Sequence, residues 1–173
     1  ITLSRLYLEL HKLPEAKNCL SKCGGIIHGA FGSKHLLTAE VYRMLGLICN
    51  QEAHYRDAHH AYIRGCTIVC EIMNDVNSKG NDFEIDIETY LTEQVLHDKT
   101  TEEKRGQFHM HFNEGQFVDV DDKRNDVQHP LYADLLYGIS YNLGVHGPGY
   151  HKEAMDFANR GYEISYNLFG HVS

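Results

Sequence analysis

Three groups of residues have the types and spacing that site chemistry would need. His109 and His111, one residue apart, put both imidazoles on one face of an extended strand, which is part of a zinc ligand set. A catalytic zinc needs a third protein ligand and an open position, and the chain supplies no third histidine at strand spacing, so these two are weak metal candidates. His59, Cys66 and Cys70 are spaced by seven and four, hence on one helical face, where a packed apolar surface holding two reduced thiols is the simpler reading. The acidic run 119–126 resembles a calcium loop only superficially, because Lys123 and Arg124 stand where an EF-hand needs an oxygen ligand and a glycine. No nucleophile elbow, phosphate-cradling glycine loop or nucleophile triad is present by local signature. The expectation is a chain that is not an enzyme, with no resident metal and no cofactor.

Composition narrows the partners. Sixteen Lys and Arg against 24 Asp and Glu give a formal charge of −8, the wrong sign for holding nucleic acid by phosphate neutralisation. Residues 77–128 carry thirteen acidic and six basic side chains, so nearly all of that charge sits in one segment. No 18-residue apolar run occurs and no basic-then-apolar leader, so membrane insertion is not expected. Five cysteines, at the i, i+4 spacings Cys19/Cys23 and Cys66/Cys70, suit buried thiols in a reducing, cytoplasmic compartment better than a disulfide framework.

The elements around these residues read as helices. Leu3, Leu6, Leu8 and Leu10 open a short one; Pro14 suits the first turn of a second, continued by Ala16, Leu20, Cys23 and Ile27 through a weak point at Gly24-Gly25. Thr38 is placed to cap a helix over 39–51 with Val41, Leu45, Ile48 and Cys49 as its apolar stripe, and another helix runs from about Tyr55 to Met73. Between 77 and 128 the pattern changes to alternation. Phe83, Ile85, Ile87 and then Phe108, Met110, Phe112 alternate with polar residues, and Asn113-Glu114-Gly115 precedes Phe117, Val118 and Val120, which predicts a hairpin or an acidic loop. The alternative for 89–104 is a polar helix.

The chain also repeats itself. A shift of 42 lays Leu13–Ala16 on Tyr55–Ala58, Leu20 on Tyr62, and Leu3, Ser4 and Tyr7 on Leu45, Gly46 and Cys49. A third copy follows: Ala133, Leu136, Ile139, Ser140 and Leu143 match Ala39, Tyr42, Leu45, Gly46 and Cys49, and Ala154 matches Ala58 once the turn at 147–149 is two residues longer. Tyr42-x2-Leu45-Gly46-x2-Cys49, then Tyr55 and Ala58-x3-Tyr62, resembles the tetratricopeptide repeat, and a 42-residue period with His129-Pro130 opening a unit is similar to the kinesin-light-chain variety. Ala158 departs from it where the third copy should carry an aromatic.

The resemblance implies an all-α fold, a solenoid of antiparallel helix pairs interrupted by an acidic insertion. Residues 1–74 hold the first pairs, 75–128 the insertion and 129–173 the last pair. It further implies a non-catalytic adaptor or scaffold whose first helices line a groove for a peptide or partner helix. Groove positions carried over from the repeat are Arg5 and Glu9, then Arg43, Leu47 and Asn50, then Tyr137 and Tyr141. The alternative is a helical appendage of a larger enzyme, since the tail units of SET-domain lysine methyltransferases look similar.

Overall fold

The computed structural model describes residues 1–74, 127–146 and 149–170. These form six α-helices: α1 (Thr2–Glu9), α2 (Leu13–Phe31), α3 (Leu36–Gln51), α4 (Tyr55–Asn74), α5 (Pro130–His146) and α6 (His151–Phe169). Among the described residues the fold is all-α, with no strand. None of these helices is long and apolar enough to cross a membrane. The expected hairpin, the alternative helix over 89–104, His109, His111 and the run 119–126 lie outside the described residues.

Local chemistry sets the helix boundaries. Pro14 occupies the first turn of α2, where a missing N–H costs nothing. Gly24-Gly25 does not interrupt that helix, which ends at Gly32 in the left-handed region (φ +77°). The start of α3 corrects the expectation for Thr38. The helix begins earlier, and His35 is its cap: the ring Nδ1 accepts the Leu37 N–H at 3.1 Å. Thr38 instead donates its hydroxyl to the Gly32 carbonyl at 3.1 Å, tying the linker to the helix it enters. The same device opens α5, where His129 Nδ1 accepts the Leu131 N–H at 3.1 Å and Pro130 takes the first helical position. Histidine is an unusual cap, and its unprotonated nitrogen does the work more familiar from Asn or Asp.

The 42-residue period is visible in the backbone. After α1, His11 N–H donates to Leu8 O at 3.0 Å and Lys12 N–H to Tyr7 O at 2.8 Å; after α3, Ala53 N–H donates to Asn50 O at 3.2 Å and His54 N–H to Cys49 O at 2.8 Å. Both are Schellman closures. The residue at the left-handed position is His11 (φ 55°) in the first turn and Ala53 (φ 62°) in the second, with Gly149 (φ 88°) standing at the matching place before α6.

Each helix packs on the next in sequence, with α1 also touching α3 and α3 touching α5. The paired helices cross where Ala16, Ala58 and Ala154 are buried. Opposite them stand small residues: Ser4 donates its hydroxyl to Ala16 O at 2.8 Å, and Ser140 to Ala154 O at 2.7 Å. In the middle pair the corresponding residue is Gly46, and the freed space is filled by the Tyr62 ring of α4, which is 1% exposed. Gly138 of α5 meets the same ring edge, so one tyrosine is boxed by glycines from two helices. At the far end Asn142 Nδ2 donates to the Tyr55 carbonyl at 2.6 Å, joining α5 to the start of α4.

A Cβ at Gly138 would stand 2.7 Å from the Tyr62 ring, which has no free space to retreat into, whereas a Cβ at Gly144 would meet only Ala154 Cβ at 3.7 Å. Gly138→Ala should therefore lower stability by about 1–3 kcal/mol through overpacking. Gly144→Ala should leave stability unchanged or raise it by up to about 1 kcal/mol through helix propensity. Urea unfolding of the two variants checks the contrast.

Candidate interaction surface

The residues expected to line a groove are carried by α1, α3 and α5. On α1, Arg5 Nε and Glu9 Oε1 are 3.4 Å apart, one turn apart on the helix and both well exposed. Such a pair contributes only a few tenths of a kcal/mol in water. On α3 the contact is tighter. Arg43 donates from Nε to Glu40 Oε2 and from Nη2 to Glu40 Oε1, both at 2.7 Å, a two-pronged bond that leaves little of the guanidinium accessible. The hydrogen bonds it donates to Glu40 hold the Arg43 guanidinium above its ordinary pKa despite its partial burial, and Asp134 of α5 adds to the effect. Arg43 is thus largely committed within its own surface.

Leu47 is half-buried against the core. Asn50 turns inward: its Nδ2 donates to the Tyr62 hydroxyl at 3.1 Å, and its Oδ1 is shut off from solvent. Burial, with Cys49 nearby, pushes the Tyr62 phenol well above its ordinary pKa, so the hydroxyl stays protonated. Of the expected groove positions, Asn50 bonds that hydroxyl directly, while the charge of Arg43 acts on it from a distance. Arg5 and Glu9 do not join them. On α5, Tyr137 lies over Gly161 of α6, where a Cβ would be 3.2 Å from its ring, while Tyr141 is 57% exposed. Val145, one turn beyond Tyr141, extends the exposed apolar strip.

Glu40, Asp134 and Val145 were missed by the sequence reading. Glu40 was findable as the i−3 partner of Arg43; Asp134 was not, since it comes from another helix. A separate open depression of about 480 Å³ on α6, lined by Asp156, Arg160, Glu163 and Asn167 among others, shares no residue with the groove set.

His59, Cys66 and Cys70 are buried on α4, with Cys70 facing Tyr132 of α5. Among the described residues no three His, Cys, Asp or Glu side chains converge as a metal site would require. Another buried group bridges two pairs: Lys17 of α2 pairs with Glu52 at the end of α3, and His54 Nδ1 stands 3.6 Å from the same carboxylate. Burial disfavours the charge on Glu52, but His54 and Lys17 outweigh it and hold the carboxyl below its ordinary pKa.

Burial, assisted by His60, lowers the pKa of His59 from 6.5 to about 3. The unfolded chain therefore binds a proton that the folded chain refuses between those values, and stability falls as pH drops from 6.5. One such group supplies a slope approaching about 1.4 kcal/mol per pH unit. His59→Leu should flatten the dependence between pH 6.5 and 5 by roughly that slope, read from urea midpoints at each pH.

No protein-family model, curated protein or solved structure matches this chain, so the reading of its function rests on the surface itself.

Proposed function

We propose that the chain is a non-catalytic protein-interaction module, a tetratricopeptide-like array of helix pairs that binds a peptide or partner helix along α1, α3 and α5. The observation that carries this reading is the aromatic strip on α5. Tyr137 and Tyr141 are exposed beside a polar surface, and large amphipathic rings of low conformational entropy are the usual anchors of a protein interface. The recurrence of turns and crossings at the repeat spacing supports the array.

The charge on this surface indicates the kind of ligand. Arg5 pairs with Glu9 and Arg43 with Glu40, so the cations are matched within their own helices, while Asp134 and the tyrosine faces add acceptor character. That suits a segment carrying Lys or Arg beside aliphatic residues, the cation resting on a ring and the aliphatic groups against Leu47 and Val145. Asn50, held by Tyr62, acts as a support for the groove wall.

A peptide array graded by charge tests the reading. Basic-aliphatic peptides should bind the wild-type chain in preference to acidic ones, and Tyr141→Ala should weaken that binding by roughly 30-fold, the loss of one hot-spot aromatic. Asp134→Lys should reverse the charge preference. Affinity and preference unchanged in both variants would overturn the proposal.

A further inference from the structure

Helices α1 and α6 each carry an exposed apolar face, and the junctions inside the molecule show what such faces accept. On α6, Met155, Tyr162, Tyr166 and Phe169 form an exposed stripe at helical spacing, with the Tyr162 and Tyr166 rings stacked at 6.1 Å between centroids. A shift of 96, the same that relates Ala58 to Ala154, maps the first three onto His59, Cys66 and Cys70 of α4. Those three are buried, with Cys70 facing Tyr132 of α5. The α6 stripe is therefore built like a seat for a first helix of a pair.

Helix α1 is such a first helix. Leu3, Leu6 and Leu10 are exposed along α1. Leu3 and Leu6 correspond to Leu45 and Ile48 of α3 and to Ile139 and Asn142 of α5, all of them buried. One matched position fixes the register. At the junction of α2 and α3, Lys17 pairs with Glu52. In the repeat, Lys17 corresponds to Met155 and Glu52 to Leu10, so both members of the ion pair have become apolar on the two exposed faces. Met155 is 60% exposed and Leu10 56%.

We propose that these faces are one interface, in which α1 of a second copy of the chain seats on α6 and continues the stack head to tail, with Leu10 against Met155. The contact is heterologous, so it leaves one open head and one open tail at every step and propagates with concentration rather than closing as a two-fold dimer. Faces of a few side chains give a weak interface, with dissociation on the order of tens of micromolar.

Sedimentation equilibrium of the 173-residue chain from micromolar to submillimolar concentration tests it. The wild type should show an average mass that climbs past that of a dimer. Tyr162→Glu, which blocks only the tail, and Leu6→Glu, which blocks only the head, should each be monomeric alone and form a heterodimer of defined mass when mixed, because each retains the face the other lacks. Both residues are exposed, and circular dichroism shows whether the variants keep their helices. Register is read from Met155→Lys mixed with Leu10→Glu, which rebuilds the Lys17–Glu52 pairing across copies and should associate more strongly than either variant alone. A monomeric wild type overturns the proposal. So does self-association of Leu6→Glu with loss in Tyr162→Glu, which would mean tail meeting tail, and so does association that survives both blocks.

Discussion

The packing of this chain turns on a steric constraint at the centre of α4: a tyrosine ring that fits only because α3 and α5 each present a glycine to it. Tyr62 is essentially fully buried, and its hydroxyl accepts a hydrogen bond from Asn50 of α3. The same side chain thus fixes the approach of two helices and the position of a polar residue near the surface. A ring of this size buries a large apolar area, and close packing means that no neighbour can compensate if it is displaced. The spacing of α3 from α5, and with it the relative placement of Arg43, Asp134 and Tyr141, is set by what lies beneath them.

That layering explains why the surface combines rigidity with modest intrinsic charge. Arg5 and Arg43 are matched by glutamates on their own helices, and Tyr137 of α5 leans on Gly161 of α6. Its polar groups are thus already oriented by neighbours within the chain. The −8 formal charge lies mainly in residues 77–128, and the rest of the chain is nearly balanced.

Much of the helical architecture was legible because it depends on local rules. Small residues at crossings, apolar residues at three-to-four spacing and a recurring offset of 42 are all written along the chain, and the Schellman closures at His11 and Ala53 express that same offset in hydrogen bonds. What escaped had a different physical origin. The histidine caps were missed because a neutral imidazole acceptor has no composition signal of its own, so Thr38 was the natural but incorrect choice. Gly138 meeting Tyr62, Asn142 reaching the Tyr55 carbonyl and Lys17 meeting Glu52 are contacts between units, which periodicity within a unit does not encode. The repeat pattern offered Asn50 as a groove position but could not show that its amide is spent on Tyr62.

The residues opposite one another at the crossings vary together in size. Ser4 stands in the unit that carries Leu20, Gly46 in the unit that carries Tyr62, and Ser140 in the unit that carries Ala158. Where the second helix brings an aromatic ring, the first gives up its hydroxymethyl group; where it brings a smaller residue, a serine hydroxyl reaches the alanine carbonyl instead. Each crossing is a lock whose two halves were cut together. Transplanting a single residue from one copy to another would therefore produce either a clash or a void, and the copies can drift apart in sequence only by moves that change both halves.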